Sequence, residues 1–395
     1  MSDSHAAPAP RDPLGIWCGW VLVGAAVLVA PFGWLWPLGF AGLLALVGLL
    51  CLPAMRISDQ DRPTAMILFA GLIWAAVSTT WSPYHPTKPA NTPILKLAFE
   101  LPLYWSAICA ARRADPVLRR RALHILAYGC ALFGLVLFED GLTRGVAYKA
   151  VHVFYGPIRS DLAESHEGHT TQVLGLLWPL AALGGPRRLR PWLALVMFAG
   201  TGAAAIAFGY DAPVLGLILA PVVALLVWRW PQGAPKFLAV AASVLFLAMP
   251  LVIWTVRHFF DYEAIRAALP KTDSMRLGYW SHAIDWIKLR PVRGWGLEAS
   301  RMLGPGINLH PHNNPLQIWL ELGAIGAVTA AAFWGVVLSR LARPQPSLAA
   351  AAAAGCASVY LLFGVNFGAW QEWLLALGAL VALMAVANAA QEAGR

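Results

Sequence analysis

Long apolar runs constrain this chain more than any other feature. By run length and breaker residues they fall at about residues 14–31, 34–53, 64–81, 93–111, 117–139, 169–185, 191–209, 212–230, 236–256, 313–339, 347–368 and 371–390. A helix needs about 20 apolar residues to cross a bilayer, so the pattern predicts about twelve crossings. Two joins are tight: the first two runs share Pro31-Phe32-Gly33, and the last two meet near Asn366 to Trp370. Of 395 residues, 59% are hydrophobic and 12% charged, against roughly a quarter charged in a soluble protein. That excludes a soluble globular enzyme, a disordered chain and a coiled coil. The expected fold class is all-α, a polytopic membrane bundle forming one integral domain over residues 1–395. No internal repeat, low-complexity tract or separate soluble domain is evident.

The formal net charge is +9, from 29 Lys+Arg and 20 Asp+Glu. With the N-terminus inside, the inner segments and tails hold 16 of the 29 cations, among them Arg112, Arg113, Arg119, Arg120, Arg121, Arg187, Arg188 and Arg190. The short outer turns near residues 32, 210 and 368 hold none. This asymmetry satisfies the positive-inside rule. The other 13 cations lie on the outer half, mostly in two long segments at about 140–168 and 256–312. Long loops cross regardless of charge, so these cations call for a functional reason.

Cys18, Cys51, Cys109, Cys130 and Cys356 all lie in apolar stretches without a CxxC pair. They read as small core residues rather than a disulfide framework or metal site. Met1 to Pro13 is polar and Pro-rich and has no basic region before a short apolar core. A cleaved signal peptide is therefore not expected, and the first span serves as its own targeting signal. Several of the 19 Trp lie near span ends, as interfacial anchors do.

Polar chemistry concentrates in one outer segment. From Asp273 it combines Arg276, Lys288, Arg290, Arg293 and Arg301 with His282, His310 and His312, and with Tyr279, Trp280, Trp286 and Trp295. Leu277, Trp280, Ile284 and Ile287 are spaced for an amphipathic surface helix over Met275 to Leu289. Pro291 ends it, and Gly294 and Gly296 permit a tight turn or close approach to a ligand. His310-Pro311-His312-Asn313-Asn314-Pro315 follows, directly before a long apolar span. A neutral imidazole there accepts a proton near neutral pH. The bland alternatives are a satisfied histidine and a helix-capping role for Asn313 or Asn314.

These motifs resemble the O-antigen ligase and polymerase superfamily of bacterial membrane glycosyltransferases. The family pattern is His-Asn, nine residues, Gly, two residues, Gly; here it is His312-Asn313, then Gly323 and Gly326. An Arg-x3-Trp helix followed by Pro-x2-Gly-x-Gly is matched by Arg276 to Trp280 and Pro291 to Gly296. The detailed likeness covers about residues 200–340.

The resemblance implies a GT-C-like bundle with long periplasmic loops between spans 5 and 6 and between spans 9 and 10. The implied reaction moves a glycan from undecaprenyl pyrophosphate to a sugar hydroxyl, without a metal or cofactor and with inversion. The acceptor is lipid A–core for ligases and another lipid-linked glycan for polymerases. The implied location is the bacterial inner membrane, with cytoplasmic termini and a periplasmic site. Donor, acceptor and membrane lipids are the expected partners, and nucleic acid is not. Pyrophosphate leaves readily, so fixed cations to neutralise it and a base for the acceptor are what the reaction needs. His312 is the matching base and Arg276 the matching clamp, because a guanidinium binds two phosphate oxygens and stays charged. Arg293, His310 and Asn313 are further substrate-contact candidates.

One departure stands out. Where the family carries Ser-Arg-Gly between the seventh and eighth spans, this chain reads Gly209-Tyr210-Asp211-Ala212-Pro213. Arg159 is the candidate replacement cation. Asp211 is expected to orient Arg276 through a salt bridge, contact sugar, or cap the eighth span. Glu164, His166, Glu167 and His169, with His310 and His312, form a composite metal reading, although HExxH is absent. Polar lining of a sugar cavity or a solvated loop is the alternative. Trp370, Glu372 and Trp373 either stack on acceptor sugar or anchor the interface. The intact His-Asn pattern favours a ligase over a polymerase, while the missing arginine pulls the other way. A transporter would place its charges within spans or in repeats. Here Lys96, Glu100 and Glu321 are the main charges near or inside spans. A non-catalytic structural partner is the remaining alternative.

Overall fold

The computed structural model describes residues 12–88, 91–152, 160–343 and 345–393. Fifteen α-helices follow in order: α1 Pro13–Leu35, α2 Phe40–Leu50, α3 Arg62–Ser78, α4 Pro93–Arg113, α5 Pro116–Thr143, α6 Val146–His152, α7 Ser160–Gly184 and α8 Arg190–Ala207, then α9 Asp211–Arg229, α10 Ala234–Phe259, α11 Tyr262–Ala268, α12 Lys271–Leu289, α13 Asn314–Ser339, α14 Pro346–Val365 and α15 Glu372–Ala393. No strand occurs among the described residues. The all-α polytopic fold class is therefore borne out.

Proline sets many of the starts. It occupies the first or second position of α1, α3, α4, α5, α8, α10, α13 and α14. Its fixed φ suits a first turn whose N–H groups have no helical acceptor. Asp115 adds a side-chain cap to α5, accepting from the backbone N–H of Val117 and Leu118.

Ten helices among the described residues are long and apolar enough to cross a membrane, against twelve expected. The difference lies in two elements. The second apolar run folds as a 3-10 turn and the short α2, together Pro37–Leu50. At about 1.5 Å per residue it cannot span a ~30 Å hydrocarbon layer. The sixth run is part of α7, which is enclosed by other helices. Val173, Leu174, Leu176, Leu177 and Leu180 are fully buried, and so are Thr170 and Thr171. A helix shielded by protein need not be apolar on all sides. Lipid-type exposure belongs instead to helices such as α9 and α10, with Ile218, Val222, Leu225, Phe237, Val240 and Val244 uncovered.

Helix pairs pack lengthwise: α5 on α1 and α8, α9 on α14, α10 on α13. Small residues allow close approach, as where a methyl on Gly200 of α8 would sit 1.9 Å from the Gly134 carbonyl of α5. The five cysteines are all free, as expected. At one end of the bundle α12 packs on α13 and α10. Its Ala283, Ile284 and Ile287 meet Ile253, Leu303, Ile307, Leu316 and Leu320 in a separate apolar cluster. The expected surface helix is thus present, starting slightly earlier at Lys271.

Candidate active site

On α12, Arg276, Tyr279 and Trp280 stand three and four residues apart, so they share one face. That face addresses the histidine loop. The Trp280 indole N–H donates to the Pro311 carbonyl at 2.9 Å. The Tyr279 ring stacks against His312 with centroids 6.2 Å apart. The Arg-x3-Trp spacing therefore has a geometric reason: one helical turn sets a cation against Asn366 and an anchor on the histidine loop.

His312 has φ +54°, a left-handed conformation that costs a non-glycine residue about 1–2 kcal/mol. Its surroundings hold it there. Its Nδ1 lies 2.7 Å from the Asn366 carbonyl oxygen. A carbonyl only accepts, so Nδ1 carries the proton and Nε2 keeps a lone pair. Burial pushes the His312 pKa below the ordinary imidazole value; the Asn366 bond opposes this and the Arg276 charge adds to it. His310 is buried beside it, ring centroids 4.2 Å apart. Its Nδ1 accepts from the His312 backbone N–H at 3.2 Å. Burial, then His312 and Arg301, push His310 down to about 3, which keeps it neutral.

Arg276 donates to Asp273 Oδ1 at 3.3 Å and to Asn366 Oδ1 at 2.9 Å. Asn366, the residue that ends α14, therefore holds both groups, His312 through its carbonyl and Arg276 through its side chain. Motif reading missed it. The available signal was a lone carboxamide closing an apolar run. Asn366→Ala keeps the carbonyl and removes only the arginine tether. Its expected result is about a tenfold loss in kcat/KM for donor with the acid limb of the pH profile in place. A shifted limb would show that the side chain also controls His312.

Other expectations change. The carboxylate beside Arg276 is Asp273, not Asp211. Asp211 is exposed in the first turn of α9, with Tyr210 at the N-cap position and no side-chain cap bond. There its charge suits the helix dipole. Asn313 is the N-cap of α13, its Oδ1 accepting from Leu316 N–H at 2.9 Å, so it acts locally rather than as an open substrate contact. Arg293 is exposed, its guanidinium 5.6 Å over the Trp81 ring and outside the hydrogen bonds that join Arg276, His312 and Asn366. Arg159 and the side chain of Glu164 lie outside the described residues. The composite metal grouping does not form among the described residues. His166 turns to the Trp34 carbonyl, Glu167 to Thr170, and His169 to Ser165 and Trp373.

The glycine motifs meet each other instead of a ligand. Helix α13 breaks at Gly323, with φ +65° and ψ −163°. The Pro291–Gly296 strap lies against this break. Trp295 N–H donates to Leu320 O at 2.9 Å, Gly296 N–H to Glu321 O at 2.7 Å, and Ala324 N–H to Pro291 O at 2.8 Å. The strap thus satisfies backbone groups that the break would leave orphaned. Just before the break, the fully buried Glu321 accepts from Ser300 Oγ at 2.6 Å, Trp370 Nε1 at 2.6 Å, Glu298 N at 2.8 Å and Gln317 Nε2 at 3.0 Å. Gln317 also accepts from Ala369 N–H at 2.8 Å. The segment between α12 and α13, the start of α13 and the α14–α15 turn are locked together around that carboxylate.

A family model described as O-antigen ligase matches residues 192–331. A Rickettsia felis protein named "Putative polysaccharide ligase" is 26% identical over 164 residues, 38% of this chain and 40% of that protein. One of the same name from Rickettsia prowazekii is 30% identical over 118 residues, 26% of this chain and 29% of that protein. The chain therefore spans well under half the length of these curated relatives. The matched stretch, which carries Arg276, Arg293, His310 and His312, is similar to the O-antigen ligase family.

Proposed function

We propose that the chain is a glycosyltransferase that moves a glycan from undecaprenyl pyrophosphate to a sugar hydroxyl at the periplasmic face of the inner membrane. Lipid A–core is the favoured acceptor. The observation that carries this reading is the shared anchor of His312 and Arg276 on Asn366. It pairs a neutral base with a fixed cation, the two groups that the reaction requires. The acceptor hydroxyl gives its proton to His312 Nε2 as its oxygen attacks the anomeric carbon. The bond to the pyrophosphate oxygen breaks with inversion, and the electron pair leaves on a pyrophosphate held by Arg276. No protein acid is needed, because pyrophosphate is a stable leaving group.

The test is transfer from a lipid-linked donor by the purified full chain in the presence of a chelator, with acceptor product and donor loss both followed. Donor that crosses vesicles without product would instead mark a transporter. Extension of lipid-linked glycan without modification of lipid A–core would mark a polymerase. A pH profile gives an independent check. His312 acts when neutral and its pKa is lowered, so activity persists below pH ~6.5 and falls only through the lowered value. In Arg276→Gln the cation that depresses it is gone, so the acid limb moves to higher pH. A limb that stays still would separate Arg276 from His312.

A further inference from the structure

Across the wall formed by residues 298–312 and 366–372, a polar cavity of about 270 Å³ is lined by Tyr84, Asn91, Lys96, Glu298, Arg301, Trp370 and Glu372, with Pro93 and Leu97. Its charges come as two closed pairs, Lys96 with Glu372 and Arg301 with Glu298. The lining holds no cation outside these two pairs. Two aromatic residues border it. Tyr84 lies under the Arg301 guanidinium at 5.6 Å, and Trp370 has its N–H committed to Glu321. The volume is below the ~300–1,000 Å³ of clefts for drug-sized ligands, which limits it to one or two sugar rings. Planar charged groups and an amide hold hydroxyls by directional hydrogen bonds, and aromatic faces accept the C–H side of a sugar. The paired charges disfavour a phosphate, and the polar lining disfavours a lipid tail.

We propose that this cavity is a carbohydrate subsite for one neutral sugar ring of the glycan being joined, which rests on the glycosyltransfer reading above. Its walls tie it to the reaction centre: Ser300 contacts both Glu321 and the Leu309 carbonyl, next to His310, and Trp370 lies four residues beyond Asn366. A sugar held here keeps its glycan in register with His312.

Binding is tested first without transfer. Saturation-transfer NMR on the full chain in detergent uses free glucose, galactose, mannose and N-acetylglucosamine. At least one sugar is expected to give a signal that persists in His312→Ala, resists inorganic pyrophosphate, and is lost in Asn91→Ala/Tyr84→Ala. The charge-swapped Lys96→Glu/Glu372→Lys protein keeps an ion pair, and is a second route to the same loss if the first variant misfolds. No signal, or one unchanged in folded cavity variants, overturns the proposal; so does displacement by pyrophosphate. Kinetics then identify the source of the ring. A KM raised about tenfold for acceptor alone places the acceptor sugar here, and one raised for donor alone places the donor glycan. Unchanged KM for both overturns the subsite. A wild-type protein that binds sugar but transfers nothing would defeat the glycosyltransfer reading while leaving the binding result standing.

Discussion

His312→Ala is expected to lower kcat for glycan transfer by about 10²–10⁴-fold, equivalent to about 3–5 kcal/mol of barrier at ~1.36 kcal/mol per tenfold. The size follows from the lack of a substitute. His310 is the nearest imidazole, but its Nδ1 receives the His312 backbone N–H, and burial and its charged neighbours hold its pKa near 3. It is too weak a base to take over. Stability should fall by about 1 kcal/mol, because alanine gives up the Nδ1–Asn366 bond that holds the φ +54° backbone. His312→Asn separates chemistry from folding. Asparagine tolerates the left-handed region yet has no group to take the proton, so it should be as inactive as alanine and fold at least as well. Added imidazole should restore part of the alanine variant's rate and none of the wild type's. Near-wild-type transfer by purified His312→Ala would remove the base assignment.

Local patterns were legible in the sequence; partners across the fold were not. The spacing of Leu277, Trp280, Ile284 and Ile287 gave α12 as far as its end at Leu289 and missed only its first turn from Lys271, because a period of 3.6 is written in consecutive residues. His312 and Arg276 were expected from the family resemblance, and both bond to Asn366. What joins them, Asn366, was hidden, since the contact spans 54 residues to one partner and 90 to the other. Asp211 looked like the acid for Arg276, but Asp273, three residues away on the same helix, is closer by simple helical geometry. Among the described residues ten helices rather than twelve pass on length and composition: α2 is too short, and α7 opens on the polar stretch Ser160 to Gln172 that lowers its hydropathy. Enclosure by its neighbours lets α7 carry that polarity. Glu321 was noted only as a charge within a span. Its four donors come from Ser300, Gln317, Glu298 and Trp370, whose convergence no local pattern encodes.

Gly323→Ala is expected to destabilise the chain by about 2–6 kcal/mol, from roughly 1–3 for a backbone conformation nearly restricted to glycine and a similar amount for overpacking. Its added methyl would stand 2.2 Å from the Val292 carbonyl oxygen and 2.6 Å from the Gly294 nitrogen. Neither atom belongs to a flexible side chain. Nor can the strap retreat freely, because Pro291, Trp295 and Gly296 are hydrogen-bonded on both sides of the break. Moving it away would orphan the Leu320 and Glu321 carbonyls in a setting where water is scarce. Gly294→Ala strains the same contact from the opposite side, its methyl 2.3 Å from the Glu321 carbonyl oxygen. The double variant should therefore lose less than the sum of the singles, since one displaced strap relieves both clashes. Gly364→Ala is the control, a helical glycine with nothing within 4 Å of the added carbon. Its thermal midpoint in detergent should be unchanged or slightly raised. Activity supplies a sharper criterion than stability. The segment from Asn313 to Leu322 carries the helix cap, Gln317 and Glu321, so a shifted break also shifts the loop that presents His312. The Gly323 variant should lose more transfer than its folded fraction accounts for. A normal midpoint with normal transfer would mean that the break is incidental and that the strap does not position the site.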